Sequence, residues 1–361
     1  MRFNKFKTVV NFKLMSKLSI VATLIFTCLV SHANEDFVIV KGNNRYYTQP
    51  EYSVTEKDLS RLLDRFTLHG QVGARLRYQE NRNGETTHER MQYRYALLAR
   101  VGLTANSCGS FNAYVTSSDR FDTLWDESGL GDSQGEFQVF FRRFYFDSDC
   151  LNKKIRLQLG AVPPSSPGTL GLDEAGWVDG LKLALTLDES KNLKAYFTLG
   201  ELDEFDEIHF FKREFRSINF AQLTVTGEIG KHVEFLAEAT THDNNEYLRA
   251  GLEIIAKEFL RVIDKVGFEE LLVNGDQQAL IVSMQKEIGP WSARVAFSDV
   301  LDPKQETDSL ILPIDNFIGL NKNIHFYLNR DFGKDQRWSW KSRVRLGEDG
   351  VRAETRGEFA F

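Results

Sequence analysis

The feature that most constrains this chain is alternation. From about residue 65 to its last residue, apolar and polar residues take turns in segments of roughly ten, the length of a tilted strand that crosses a bilayer. In the final segment Val351, Ala353, Thr355, Gly357, Phe359 and Phe361 share one face, and Arg352, Glu354, Arg356, Glu358 and Ala360 share the other. A period of two is the signature of a β-strand. One such strand suits a soluble sheet as well as a barrel in lipid. A long succession of them predicts a closed barrel with an apolar outside and a wet inside.

The other end of the chain agrees, because residues 1–33 read as an export signal. Residues 1–17 carry Arg2, Lys5, Lys7, Lys13 and Lys17 and no acid, Leu18 to Val30 are apolar, and small residues stand at 31 and 33. Cleavage is predicted after Ala33. The apolar run is shorter than the roughly 20 residues that a membrane-spanning helix needs. Cys28 follows Thr27, where a lipoprotein signal wants Gly, Ala or Ser, which argues against lipidation.

Across 361 residues there are 51 acids and 45 bases, and five of those bases lie in the signal. The exported part is therefore the more acidic, which disfavours nucleic acid as a partner. It suits loops above an outer membrane that meet lipid and lipopolysaccharide through divalent cations. A mean hydropathy of −0.34 does not exclude a barrel, whose inward polar residues offset the outward apolar ones. Export leaves Cys108 and Cys150, at the start and end of two consecutive predicted strands. Both fall at the same end of a hairpin, and a disulfide between them fits an oxidising compartment. Two free thiols in separate turns are the alternative.

Strands are predicted near 65–78, 90–105, 109–118, 136–147, 153–162, 177–187, 192–200, 216–228, 232–240, 247–256, 277–286, 291–299, 322–330, 337–347 and 350–361. With both termini on the periplasmic side the number must be even. If 266–273 also crosses, ahead of the turn signal Asn274-Gly275, the antiparallel transmembrane barrel has 16 strands. If 247–256 does not cross, it has 14, and 241–276 becomes a loop with a helix. Leu248, Ala250, Leu252 and Ile254 alternate, which favours 16. Tight connections near 106–109, 147–152, 188–191, 230–231, 288–290 and 332–335 predict short periplasmic turns. Long polar stretches at 79–89, 119–135, 163–176, 201–214 and 301–321 predict extracellular loops. Residues 34–64 form a periplasmic lead-in, and 65–361 the barrel.

Function in such a barrel is read from the inward face. The last two strands turn Lys341, Arg343, Arg345, Arg352 and Arg356 inward, with Trp338 and Trp340 outward. The first two add Arg75, Arg77, Arg94 and Arg100. Closure makes these four strands contiguous, so they build one basic wall that only Glu354 and Glu358 interrupt. Offsetting charge is expected from an inward-folded acidic loop, from Glu234 or Glu238, or from an anionic solute in transit. Otherwise the arginines only pair internally in a filled barrel. The stiff run Pro163-Pro164-Ser165-Ser166-Pro167-Gly168 makes 163–176 the candidate constriction loop, with Asp173 and Glu174 facing the basic wall. In Phe140-Phe141-Arg142-Arg143-Phe144 either register sends one arginine outward, near the short-turn end, where snorkelling or a bulge lowers the cost.

The acidic stretches 119–136 and 201–207 match no EF-hand spacing and read as solvated loops. His69 and His325 fall on the inward face, but no Ser/His/carboxylate set, metal-ligand cluster or phosphate loop is present, so neither an enzyme nor a cofactor is expected.

Leu68-His-Gly-Gln-Val-Gly-Ala-Arg-Leu-Arg-Tyr78, Arg90-Met-Gln-Tyr-Arg-Tyr95, Leu157-Gln-Leu-Gly-Ala161, Trp177-Val-Asp-Gly-Leu-Lys182 and the terminal strand together resemble an outer-membrane porin of the putative-porin and alginate-export type. Phe359 and Phe361 resemble the assembly signal that the barrel-assembly machinery reads. The resemblance implies passive diffusion of small polar solutes with a preference for anions, and it is compatible with a homotrimer. The alternative is a non-conducting barrel that acts in adhesion or protein interaction through its acidic loops.

Overall fold

The computed structural model describes residues 66–102, 109–116, 129–130, 140–151, 154–165, 177–202, 210–243, 245–257, 260–301, 317–332, 337–348 and 350–361. The signal, the lead-in, Cys108, Asp173 and Glu174 lie outside them. Sixteen strands form one closed antiparallel sheet: β1 (Phe66–Asn81), β2 (Thr86–Gly102), β3 (Gly109–Thr116), β4 (Phe140–Leu151), β5 (Ile155–Val162), β6 (Val178–Asp188), β7 (Leu193–Leu202), β8 (Phe220–Ile229), β9 (Val233–His242), β10 (Asn245–Ile255), β11 (Lys265–Val273), β12 (Asp276–Ile288), β13 (Trp291–Val300), β14 (Asn321–Phe332), β15 (Trp338–Gly347) and β16 (Gly350–Ala360). Each pairs with the next, and β16 pairs back onto β1 from Gln71↔Ala360 to Asn81↔Gly350. Gly129 and Leu130 add a short bridge on β2.

The fourteen-strand alternative fails at β10 and β11, which pair from Tyr247↔Val273 to Ile255↔Lys265. β10 runs as a strand to Ile255. Among the described residues the helical element is a single 3₁₀ turn, Phe210–Lys212. The expected long loop at 79–89 is also corrected. β1 and β2 extend to Asn81 and Thr86, and Asn81 organises the turn by accepting the amides of Asn83 and Glu85, each at 3.0 Å. The side chain of Asn81 competes successfully for backbone donors there, as Asn does in tight turns.

Alternation decides which face each residue takes. Leu68, Val72, Leu76, Leu248, Leu252, Phe268, Val282, Val295, Phe297, Ile324, Phe326 and Leu346 point outward and are exposed. No other part of the described chain covers this band, and a belt of that kind is what hydrocarbon covers in a membrane barrel. At the short-turn end the band finishes in aromatic rings. Trp291 meets Phe332 edge-on at 6.4 Å, and Trp338 meets Phe359 at 4.7 Å. Arg330, outward among them, lies over Phe332 at 4.4 Å and Trp291 at 5.1 Å.

The Phe140–Phe144 conflict is resolved by a bulge. The β3–β4 register shifts between Tyr114 and Val115, so Tyr114 faces Arg143 while Val115 faces Phe141. Arg142 is the extra residue, and both arginines are buried. The run sits at the long-loop end of β4, not the short-turn end, so it is the bulge and not snorkelling that accommodates it. Outside this wall the 3₁₀ turn lies across β4. Phe211 contacts Phe141 at 4.9 Å and Phe144 at 5.9 Å, and Arg213 bridges to outward-facing Asp179 at 3.1 Å. Gly109 pairs with Ser148, two residues before Cys150.

Candidate functional site: the lumen wall

Register brings the predicted cations of β1, β15 and β16 side by side. Arg75 faces Arg356, Arg77 faces Glu354, Arg343 faces Glu354, Arg345 faces Arg352, and Lys341 faces Arg356. Seven cations therefore share a patch with two carboxylates. Glu354 is the hub. Its Oε2 accepts from Arg343 Nε at 2.7 Å, its Oε1 accepts from Arg352 Nη2 at 2.7 Å, and Arg75 and Arg77 each come within 3.7 Å. Glu358 stands 3.7 Å from Lys341 and 3.9 Å from Arg356. Arg75 is tied further by Gln92, whose Oε1 accepts from its Nε at 3.0 Å and its Nη2 at 2.6 Å.

The wall is not uniform in depth. The side chains of Arg75 and Arg352 are 4% and 5% exposed, whereas that of Lys341 reaches 32%. Phe317, itself fully buried inside the barrel, lies against three of these cations. The Arg343 guanidinium carbon lies 4.0 Å from the Phe317 ring centre and that of Arg352 5.4 Å. The Phe317 carbonyl accepts from Arg345 Nη1 at 3.4 Å, and its ring sits 6.0 Å from His325 and 5.9 Å from Tyr327. A cation over an aromatic face is favourable, and more so when water is excluded.

The remaining predicted residues distribute differently. Arg94 is in register with Gly73, which faces Glu358, but Arg100 is in register with Thr67, eight residues farther along β1 from Arg75 and near the short turns. Arg100 therefore belongs to the same face but not to the cluster. Glu238 does not offset the basic wall; it holds Arg249 on β9 and β10, where Glu269 also lies 3.8 Å from Arg249. Glu234 lies 4.0 Å from Lys265. Among the described residues, the carboxylates that lie against these cations are Glu354 and Glu358 of the wall itself.

The described start of the proline-rich segment turns across the inner wall. Lys182 Nζ donates to the Pro163 carbonyl at 2.9 Å, the Ser165 amide donates to Gln222 Oε1 at 2.7 Å, and Thr224 Oγ1 donates to the Ser165 carbonyl at 3.2 Å. Residues 163–165 thus bridge β6 to β8 on the lumen side. Nearby, Arg143 is held between two aromatic rings, 4.2 Å from Tyr114 and 3.2 Å from Trp177. His325 hydrogen-bonds Ser298 Oγ through Nε2 at 2.7 Å, and both side chains are fully buried. A serine so enclosed has no access to substrate, so the pair serves the interior packing.

Sequence reasoning missed Phe317 and the apolar patch beside it. Tyr247, Leu271, Ala279, Ile281, Ala296 and Val300 point inward from β10–β13 and bury Ile318. The signal was present: in Ala279-Leu280-Ile281-Val282 both faces of the strand are apolar, as in strands buried on both sides.

No family model and no curated protein match the chain. Solved structures do. A mutant of the Rhodopseudomonas blastica porin superposes with a TM-score of 0.53 at 13% sequence identity, covering 82% of this chain and 100% of that one. A triple mutant of the same porin gives the same values. A structure described as "Asymmetric conductivity of engineered proteins" gives 0.53 at 12%, with the same coverage. At such identity the likeness establishes a porin-type barrel fold.

Proposed function

We propose that the chain is a porin of the Gram-negative outer membrane, a passive channel for small polar and preferentially anionic solutes. The observation that carries this reading is the excess of inward cations on β1, β15 and β16, inside a closed barrel whose outer band is apolar. A basic strip bounded by a low-dielectric wall focuses its field into the pore and raises the local anion concentration. Guanidinium forks offer paired donors to carboxylate and phosphate oxygens. Several weak sites in series let an anion enter and leave. No bond is made or broken. Half-buried Lys341 and Arg343 are the groups a passing anion meets first, since Arg75, Arg345 and Arg352 are almost wholly enclosed.

That enclosure also favours a second reading, a filled barrel that acts through its acidic loops. Single-channel conductance of the mature protein in a planar bilayer under a salt gradient separates the two. The expected result is steady conductance with an anion-favouring reversal potential, weakened in a Lys341→Ala/Arg343→Ala double variant. A correctly folded barrel that stays silent would move the function to the loops.

A further inference from the structure

Arg330 faces outward at the short-turn end of β14. Alternation places Leu328, Arg330 and Phe332 on the outer row of that strand, so a cation stands between apolar neighbours. Lys286 and Arg213, also on the outer surface, have Asp264 at 2.9 Å and Asp179 at 3.1 Å. Among the described residues the Arg330 side chain makes no ion pair and no hydrogen bond. Rings hold it instead. Its guanidinium carbon lies 5.1 Å from the Trp291 ring centre, across the ladder on β13, and 4.4 Å from that of Phe332, two residues on. Trp340 is in register with it on β15. Trp291 is the first residue of β13, which sets the group at the short-turn rim, where aromatic residues gather at the edge of hydrocarbon. The rings favour the cation and bring no charge to offset it. Nε is closed off and has no partner, so the Nη groups are the donors left to a ligand.

We propose that Arg330, framed by Trp291 and Phe332, binds the phosphate of a phospholipid headgroup in the leaflet at the short-turn end. This rests on the outer-membrane reading, and not on conduction. Charge complementarity points to the ligand. A guanidinium at the boundary of water and hydrocarbon meets lipid phosphate there, and its fork matches two phosphate oxygens. A lipid seated so lays its acyl chains along Leu328, Phe326 and Ile324, which continue the outer row away from the rim and are exposed.

The test titrates the mature barrel, folded in a neutral detergent, with dioleoyl phosphatidylglycerol and counts retained lipid by native mass spectrometry. Dioleoylglycerol, with the same chains and no phosphate, and inorganic phosphate are the comparison probes. Wild type is expected to retain phosphatidylglycerol in preference to dioleoylglycerol, and Arg330→Gln to bind it about ten-fold more weakly. Trp291→Leu keeps the cation, removes one ring and should lose part of that affinity. The Arg330 side chain is not bonded to the ladder, so the Gln variant should fold, which heat-modifiable gel mobility checks. Lys322→Gln removes an exposed cation at the other end of β14 and should bind as wild type does. Equal retention of the two lipids, or unchanged binding by Arg330→Gln, overturns the proposal. So does an equal loss in Lys322→Gln, which would mean diffuse attraction to the barrel. Displacement of the lipid by millimolar inorganic phosphate would assign the site to free phosphate and overturn the lipid assignment. A wild type that does not insert into phospholipid vesicles overturns the membrane reading together with this site; insertion without the phosphate preference overturns this site alone.

Discussion

Around Glu354 four guanidiniums gather within 3.7 Å, and the carboxylate itself is almost wholly enclosed. Removing one partner of a buried ion pair leaves the other charge desolvated, which costs about 3–5 kcal/mol. Here the partners are four like charges, so Glu354→Gln also releases their mutual repulsion. The variant is expected to lose stability on that scale in urea or thermal unfolding of the detergent-solubilised barrel. Glu358→Gln serves as the internal comparison. Its cations stand at 3.7 and 3.9 Å and Lys341 is partly solvated, so the loss should be nearer 1 kcal/mol. Equal losses in the two variants would mean that Glu354 is not the hub of the wall.

Between β10 and β11 the chain turns around one half-buried carboxylate, that of Asp264. Asp264 Oδ2 accepts the Glu287 amide at 2.7 Å, its Oδ1 accepts from Lys286 Nζ at 2.9 Å, and its own amide donates to the Gln285 carbonyl at 2.9 Å. The Glu287 amide above all, and then Lys286, hold the Asp264 carboxyl below the usual carboxylate range. A group whose folded pKa is lowered stabilises its element above the unfolded value, near 3.9, and that help is lost as pH falls through the lowered value. Amide-exchange protection at Glu287 should therefore decline on acidification below about pH 4 in wild type. In Asp264→Asn it should be weak throughout and lack that step. A wild-type step that persists in the variant would assign the effect to another group. Elements were the most legible level of this chain, because alternation is local: β10, β11 and the β14–β16 ladder follow from which residues repeat at a period of two. The β4 bulge was foreseen only as a remedy, since it depends on what Tyr114 faces across the sheet. Phe317 was not legible at all, because its place is set by an apolar patch from β10–β13 and by cations from β15 and β16, none of them adjacent to it in sequence. The composition of the basic wall was readable, whereas its ties were not: register alone decides that Glu354, rather than Glu238, meets the arginines.

At the scale of the whole molecule, charge is segregated. The chain is acidic overall, with stretches 119–136 and 201–207 supplying many of the acids to connections at the long-loop end, while the inner wall of β1, β15 and β16 is basic. Solvated acids in those connections would meet an anion that approaches from the long-loop side before it reaches the arginines; from the short-turn side it would meet the wall directly. Exposed loop charges act through water and are screened within a Debye length of about 10 Å at 0.1 M salt and about 3 Å at 1 M. Wall charges enclosed by protein are screened much less. Two consequences separate on that basis. In 0.1 M salt, current through single channels of uniform orientation should rectify, with anions entering more readily from the short-turn side. In 1 M salt the rectification should vanish, while the anion preference declines only in part. Neutralising the acids of 201–207 should remove some of the rectification and leave the preference intact. If preference and rectification disappear together as salt rises, solvated loop charges govern selectivity and the inner wall is a structural element. If rectification persists at 1 M, the asymmetry arises from the fixed shape of the lumen, which salt does not screen.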